Sequence, residues 1–206
     1  MPLFLKGLII GISIAAPVGP IGILCIRRTL AEGRLAGLAT GLGAATADAI
    51  YGSIAGFGVT LVSAFLIEQQ GWIRLIGGAF LIYLGLRTFL ARPAEGGSPL
   101  RPRSLLNQYI STFFLTLTNP LTILSFAAIF TGLGLGMATD DYSAAGLLVA
   151  GVFTGSALWW LILSGGMSLM RKQVSPVAMR WINRISGSII LGFGIAALVS
   201  VATKFV

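Results

Sequence analysis

Uncharged stretches of bilayer length recur along this chain, and they restrict its fold more than any other feature. Gly7–Ile26, Ser104–Thr139, Tyr142–Met170 and Ile185–Thr203 contain no Asp, Glu, Lys or Arg. A helix needs about 20 apolar residues to cross the hydrocarbon core of a bilayer, so these runs predict four spans. Leu35–Ile67 carries one charge, Asp48, and adds a fifth. The sixth, Gly71–Leu90, holds Arg74 and Arg87 near its ends. Arginine stems lie along apolar surface while their heads reach the headgroups, and Trp72 suits the interface. A re-entrant or surface helix is the alternative for this segment alone. Only 10% of the residues are charged, against about a quarter in soluble domains. The expected fold is therefore an all-α polytopic membrane protein.

Charge sets the expected orientation and excludes several functions. The segments after spans one, three and five hold Arg27, Arg28, Arg34, Arg87, Arg92, Arg101, Arg103, Arg171, Lys172, Arg180 and Arg184, while Lys6, Arg74 and Lys204 fall opposite. Eleven against three is the positive-inside distribution. It places the loops 27–34, 87–103 and 171–184 in the cytoplasm and both termini outside, as in a multi-pass protein of the plasma (inner) membrane. The net charge of +8 thus encodes orientation, and no nucleic-acid partner is expected. Lys6 lies inside the first apolar run, which fits a retained span better than a cleaved signal peptide. The single Cys25 rules out an internal disulfide or paired-thiol relay, and there is no His. No metal, cofactor, nucleophile or phosphate loop is indicated, so the chain is not read as an enzyme.

Two helix breaks fall inside spans: Pro17-Val-Gly-Pro20 in the first and Asn119-Pro120 in the fourth. Proline removes a backbone donor and clashes with the preceding turn. In hydrocarbon such a break persists only against protein or a polar cavity. Matching breaks in two halves of a membrane chain point to a transporter's binding site. The halves also resemble each other. WIRLIGGAFLIYLG (72–85) and WINRISGSIILGFG (181–194) share Trp, two Ile and two Gly at equal offsets, pairing Gly78 with Gly187 and Gly85 with Gly194. PIGILC from Pro20 echoes PLTILS from Pro120, and Gly37/Gly41 share their spacing with Gly151/Gly155. Because each unit has an odd number of spans, the second is inverted relative to the first. The expected organisation is six transmembrane helices in two inverted three-helix repeats, with helices one and four broken. The first repeat is 1–91, a Pro- and Gly-rich cytoplasmic linker is 92–103, and the second repeat is 104–206.

Asp48 is the one acid inside an apolar span. A carboxylate at a helix centre costs roughly 2.5–3.5 kcal/mol to insert, and such residues usually face the bundle interior and serve function. A structural acid satisfied by Thr46 or a neighbouring helix is the competing reading. Thr118, Asn119 and Thr122 supply neutral hydrogen-bonding groups at the second break. Trp159 and Trp160 lie mid-span, where an aromatic lines a cavity, stacks on an ammonium group or simply packs. Helix N-termini at the breaks present free N–H groups to an anion such as a carboxylate. Asp48 then balances an ammonium group or carries a coupled proton, and a zwitterionic amino acid satisfies both ends. The candidate substrate-binding or gating residues are Pro17, Gly19, Pro20, Asn119, Pro120, Thr122 and Trp159.

APVGP at 16–20, GRLAGLATGLGAATAD at 33–48, TNP at 118–120 and NRISG at 183–187 resemble the LysE-type amino-acid exporters. That resemblance covers nearly the whole chain and implies export of amino acids from the cytoplasm by proton exchange. It maps the family's first-helix Pro-Gly-Pro motif onto Pro17, Gly19 and Pro20, its second-helix Asp onto Asp48, and its Asn-Pro onto Asn119 and Pro120. Val18 interrupts the first motif here, which marks a divergent branch. The alternatives are a membrane scaffold or subunit without transport, or an exporter of another small solute. The Gly-x-x-x-Gly spacings at Gly7/Gly11, Gly52/Gly56 and Gly132/Gly136 permit a homodimer and equally suit packing within one chain.

Overall fold

The structure is a computed structural model, and it describes residues 2–17, 19–56, 68–91, 104–119, 122–126 and 142–202. The linker 92–103, Pro120 and the Gly132/Gly136 pair lie outside the described residues. Regular structure among those described is helical throughout: α1 Leu3–Ala15, α2 Pro20–Glu32, α3 Arg34–Gly56, α4 Gln70–Phe89, α5 Leu105–Leu117, α6 Tyr142–Met170 and α7 Pro176–Ala202, with a 3-10 turn at Arg171–Gln173. A further helical stretch covers 122–126.

Gly71–Phe89, Tyr142–Met170 and Pro176–Val201 are each long and apolar enough to cross a membrane, and α1 with α2 meets the same standard as one pair bent by 80° at its break. Only 33% of each of the three windows is buried inside the protein. The remainder presents residues such as Ile76, Leu147, Ile162 and Ile195 outward, a surface that suits lipid and not water. α3 has the length but is less apolar, because Thr40, Thr46, Asp48 and Ser53 interrupt it.

Glycine decides how closely the helices approach. A Cβ on Gly7 would stand 2.1 Å from the Leu148 carbonyl oxygen and one on Gly11 would stand 2.2 Å from that of Val152. The reverse holds for Gly151 against Phe4 and Gly155 against Leu8. α1 and α6 therefore meet backbone to backbone, as small residues allow in a membrane interior. Gly7/Gly11 and Gly52/Gly56, which contact α6, are thus engaged within the chain. α4 meets α7 the same way, with Gly78 against the Gly194 carbonyl and Gly85 against that of Gly187. On α3, Gly43 packs on the Tyr109 carbonyl of α5 and Gly41 on Trp160 of α6.

Two of the expected loops are corrected here. Segment 27–34 is almost wholly helical: α2 continues to Glu32 and α3 begins at Arg34, joined by Gly33 at φ 106°. That left-handed region favours glycine. Arg27 and Arg28 are buried in α2, held by hydrogen bonds. Arg27 Nε donates to Asn183 Oδ1 at 3.0 Å, and Arg28 donates to Thr40 Oγ1, the Gln108 carbonyl, Thr112 Oγ1 and Ser111 Oγ at 2.9–3.0 Å. Those partners replace water and let two cations stay inside. Segment 171–184 likewise contains the 3-10 turn and the first turns of α7. There Arg171 donates to the Leu30 and Ala31 carbonyls and caps the end of α2.

Candidate functional site

The two breaks face one small cavity of about 60 Å³. α1 ends at Ala15, since Pro17 can neither donate to the ladder nor tolerate a full turn before it. Gly19 is extended, and its carbonyl accepts from the Ile23 amide at 3.1 Å. Pro20 then occupies the first helical position, where its fixed φ costs nothing. α2 starts with no side-chain cap, so the first-turn amides of Ile21 and Gly22 have no partner within the helix. At the second break α5 ends at Leu117, and the Asn119 carbonyl accepts from the Ile123 amide at 3.2 Å. Asn119 Nδ2 also donates to Thr122 Oγ1 at 3.0 Å. Gly19 and Asn119 thus hold the same place ahead of two helical stretches.

Asp48 projects from α3 into this cavity and is 3% exposed. Ser156 Oγ donates to Asp48 Oδ2 at 2.7 Å, and Trp160 Nε1 donates to Ser156 Oγ at 3.1 Å. Ser156 and Trp160 lie four residues apart on one face of α6, so a single relay of donors ends at the carboxylate. Among the described residues no Lys or Arg pairs with Asp48. One turn further on, the Tyr51 hydroxyl donates to the Leu117 carbonyl, and its ring rests on Phe126 at 5.5 Å. Tyr51 thereby ties the end of α5 and the stretch after it to α3. Asp48 sits between two apolar clusters, one containing Ala44, Ala45 and Trp160, the other Tyr51, Phe126 and Val152.

Of the residues expected from the sequence, Pro17, Gly19, Pro20, Asp48, Asn119 and Thr122 all line the cavity. Pro120 lies outside the described residues. Trp159 packs half-buried against the core and does not line the cavity, whereas its neighbour Trp160 does. Ala44, Thr116, Ser125 and Ser156 were not anticipated. Thr116 continues a buried polar stripe on α5, Gln108–Thr112–Thr116, that runs from the Arg28 cluster to the cavity. The spacing of four along LLNQYISTFFLT was the signal for it. Among the described residues no group of three His, Cys, Asp or Glu is placed to hold a metal.

Ser156→Ala removes the donor to Asp48 and leaves Trp160 Nε1 without its acceptor. A hydrogen bond to a charged group contributes about 1.5–3 kcal/mol. Any activity that depends on Asp48 is expected to fall at least about tenfold, while Ser164→Ala, on the same helix but away from the cavity, leaves it unchanged. Transport rates per folded molecule of the two variants check this.

Apolar helices of spanning length, three of them single and one a bent pair, make this a multi-pass membrane protein. The chain belongs to the LysE type translocator family, whose model matches residues 12–201. It is 29% identical over 199 residues to a Bacillus subtilis (strain 168) protein named "Putative amino acid efflux protein YcgF", covering 94% of each chain. It is also 29% identical to the uncharacterized membrane protein YahN of Escherichia coli (strain K12), over 87% of this chain and 81% of that one. The Bacillus subtilis membrane protein YrhP, likewise uncharacterized, is 27% identical over 84% of this chain and 87% of its own. No solved structure matches the chain. As a member of a translocator family the protein is a transporter and not an enzyme.

Proposed function

We propose that this protein exports amino acids or close derivatives from the cytoplasm by proton antiport, with substrate held between the two helix breaks. The observation that carries the reading is the cavity that joins Asp48 to the uncapped start of α2. Free amides and the positive end of a helix dipole suit a carboxylate, and a buried acid suits an ammonium group or a proton. The name of the Bacillus relative, an amino acid efflux protein, supports the same substrate class. Pro17, Gly19, Pro20, Asn119, Pro120 and Thr122 form the gating set, and Trp160 joins them in place of Trp159. At about 15 Å³ per water, the cavity holds roughly four waters, less than most amino acids need. Loading then requires the broken helices to move apart, and the Arg28 cluster closes the arginine-bearing side until they do.

The inverted-repeat architecture and the orientation belong to the same proposal. Exchanging Gly78 with Gly187 and Gly85 with Gly194 converts the Gly78–Gly194 contact into the Gly187–Gly85 contact, which is also made. Under the same exchange, α1 on α6 corresponds to α5 on α3, and both pairs pack. Setting aside the buried Arg27 and Arg28 leaves nine of the eleven cations on the side assigned to the cytoplasm, against three. Reporter fusions at Gln69 and Gly97 are expected on opposite faces of the plasma (inner) membrane, with Gly97 and its flanking arginines inside. Two reporters on one face would refute the six-span topology.

Efflux from cells lacking their own exporters, loaded by dipeptide feeding across a panel of amino acids, tests the function. Accelerated efflux of one class, abolished by a protonophore, is the expected result. Well-expressed protein that moves no amino acid would favour another solute or a scaffold.

A further inference from the structure

A second cavity opens between α4 and α5, with a volume of about 630 Å³. That is well within the ~300–1,000 Å³ of ordinary ligand sites. The two helices run antiparallel along it. At one end Gly77 lets α4 come down on Thr118, where a Cβ would stand 2.5 Å from the Thr118 carbonyl oxygen. At the other end lie Arg87, Asn107 and Ser111, with the Arg28 guanidinium bound to Ser111 Oγ at 2.9 Å. Between these ends the walls are Ile76, Phe80, Tyr83, Ile110 and Phe114. Ile76, Tyr83 and Phe114 are each more than half exposed, so the groove opens sideways, toward the surface that faces lipid.

Its dimensions and charge select the occupant. Ile76 to Arg87 on α4, and Asn107 on α5 to Thr118 just past its end, each cover eleven residue steps, about 16.5 Å at 1.5 Å per residue. One leaflet of a bilayer has a hydrocarbon depth of about 15 Å. The groove is therefore one acyl chain deep, apolar along its length and cationic at its mouth. We infer that it seats a single anionic phospholipid, with its phosphate at Arg87 and Asn107, beside the Arg28–Ser111 pair, and one acyl chain along Phe80, Ile110 and Phe114. Arg28 stands at the same mouth and also holds α5 to α2 and α3 through Thr112, Gln108 and Thr40. A bound headgroup consequently touches the cluster that closes the arginine-bearing side. Bilayer composition would then influence how readily that cluster opens, whatever solute is carried.

The test is native mass spectrometry of the full chain in neutral detergent, titrated with phosphatidylglycerol or with phosphatidylcholine of identical chains. Wild type is expected to hold one phosphatidylglycerol at least about fivefold more tightly than phosphatidylcholine, the effect of one basic residue beside an anionic headgroup. Arg87→Gln, an exposed position, should remove that preference without lowering the lipid-free melting temperature, and Arg34→Gln should retain it. Glycerol phosphate, a headgroup without chains, should not compete. Equal retention of both lipids, a preference that survives Arg87→Gln or disappears equally with Arg34→Gln, or effective competition by glycerol phosphate would each overturn the proposal. So would a dimer that excludes lipid by covering the groove.

Discussion

Asp48→Asn is expected to stop transport while leaving the protein as stable as before, or more so. The two effects have separate physical origins. A carboxylate that is 3% exposed and, among the described residues, has only a hydroxyl donor beside it is costly to keep in a membrane interior. Asparagine keeps the shape and still accepts from Ser156, so the fold gains from losing the charge. On the proposed mechanism, transport loses the counter-charge for an ammonium group or the carrier of the coupled proton. Removing one partner of a buried charge pair costs about 2–5 kcal/mol, which at about 1.4 kcal/mol per tenfold is a loss of at least roughly 30-fold. Melting temperature in detergent and efflux per folded molecule separate the outcomes. If Asp48→Asn lowered stability by several degrees and activity in proportion, Asp48 would be a structural acid.

Gly151→Val is expected to produce the largest loss of stability. A Cβ at Gly151 would stand 2.2 Å from the Phe4 carbonyl oxygen and 2.9 Å from the Leu8 amide nitrogen. Both neighbours are backbone, so the clash is relieved only by prising α1 from α6 along its length. Overpacking costs about 1–3 kcal/mol where side chains yield, and here they cannot, so about 3 kcal/mol or more is expected. Because α1 carries the first break, the cavity should be lost with it. Gly146→Ala provides the contrast: nothing lies within 4 Å of a Cβ there, and alanine is the better helix former by up to about 1 kcal/mol. Thermal unfolding of the two variants should differ by many degrees. Similar melting temperatures would mean that α1 and α6 are not packed backbone to backbone.

These residues also show how much was legible beforehand. Asp48 stood out because one acid in a long apolar span violates hydropathy, and the prolines announced the breaks because their effect on the backbone is local. The glycine spacings signalled close packing but not which helix would answer. Arg27 and Arg28 were misread as loop charges, because an arginine after an apolar run normally ends a span. Apart from Thr40, 12 residues on, their partners Gln108, Ser111, Thr112 and Asn183 lie 80–156 residues away, beyond any local pattern. Trp159 was expected at the cavity and Trp160 lines it. Adjacent helical residues point about 100° apart, and only the seat for Trp160 on Gly41 fixes which of the two turns inward.

The most direct measurement uses the purified chain in proteoliposomes with a pH dye and a labelled amino acid on one side. Proton-coupled export predicts that a pH gradient drives saturable movement of the amino acid, with protons moving the opposite way, and that Asp48→Asn stops both. Amino-acid flux with no counter-movement of protons would contradict the coupling. Equal flux in wild type and Asp48→Asn would contradict the site itself.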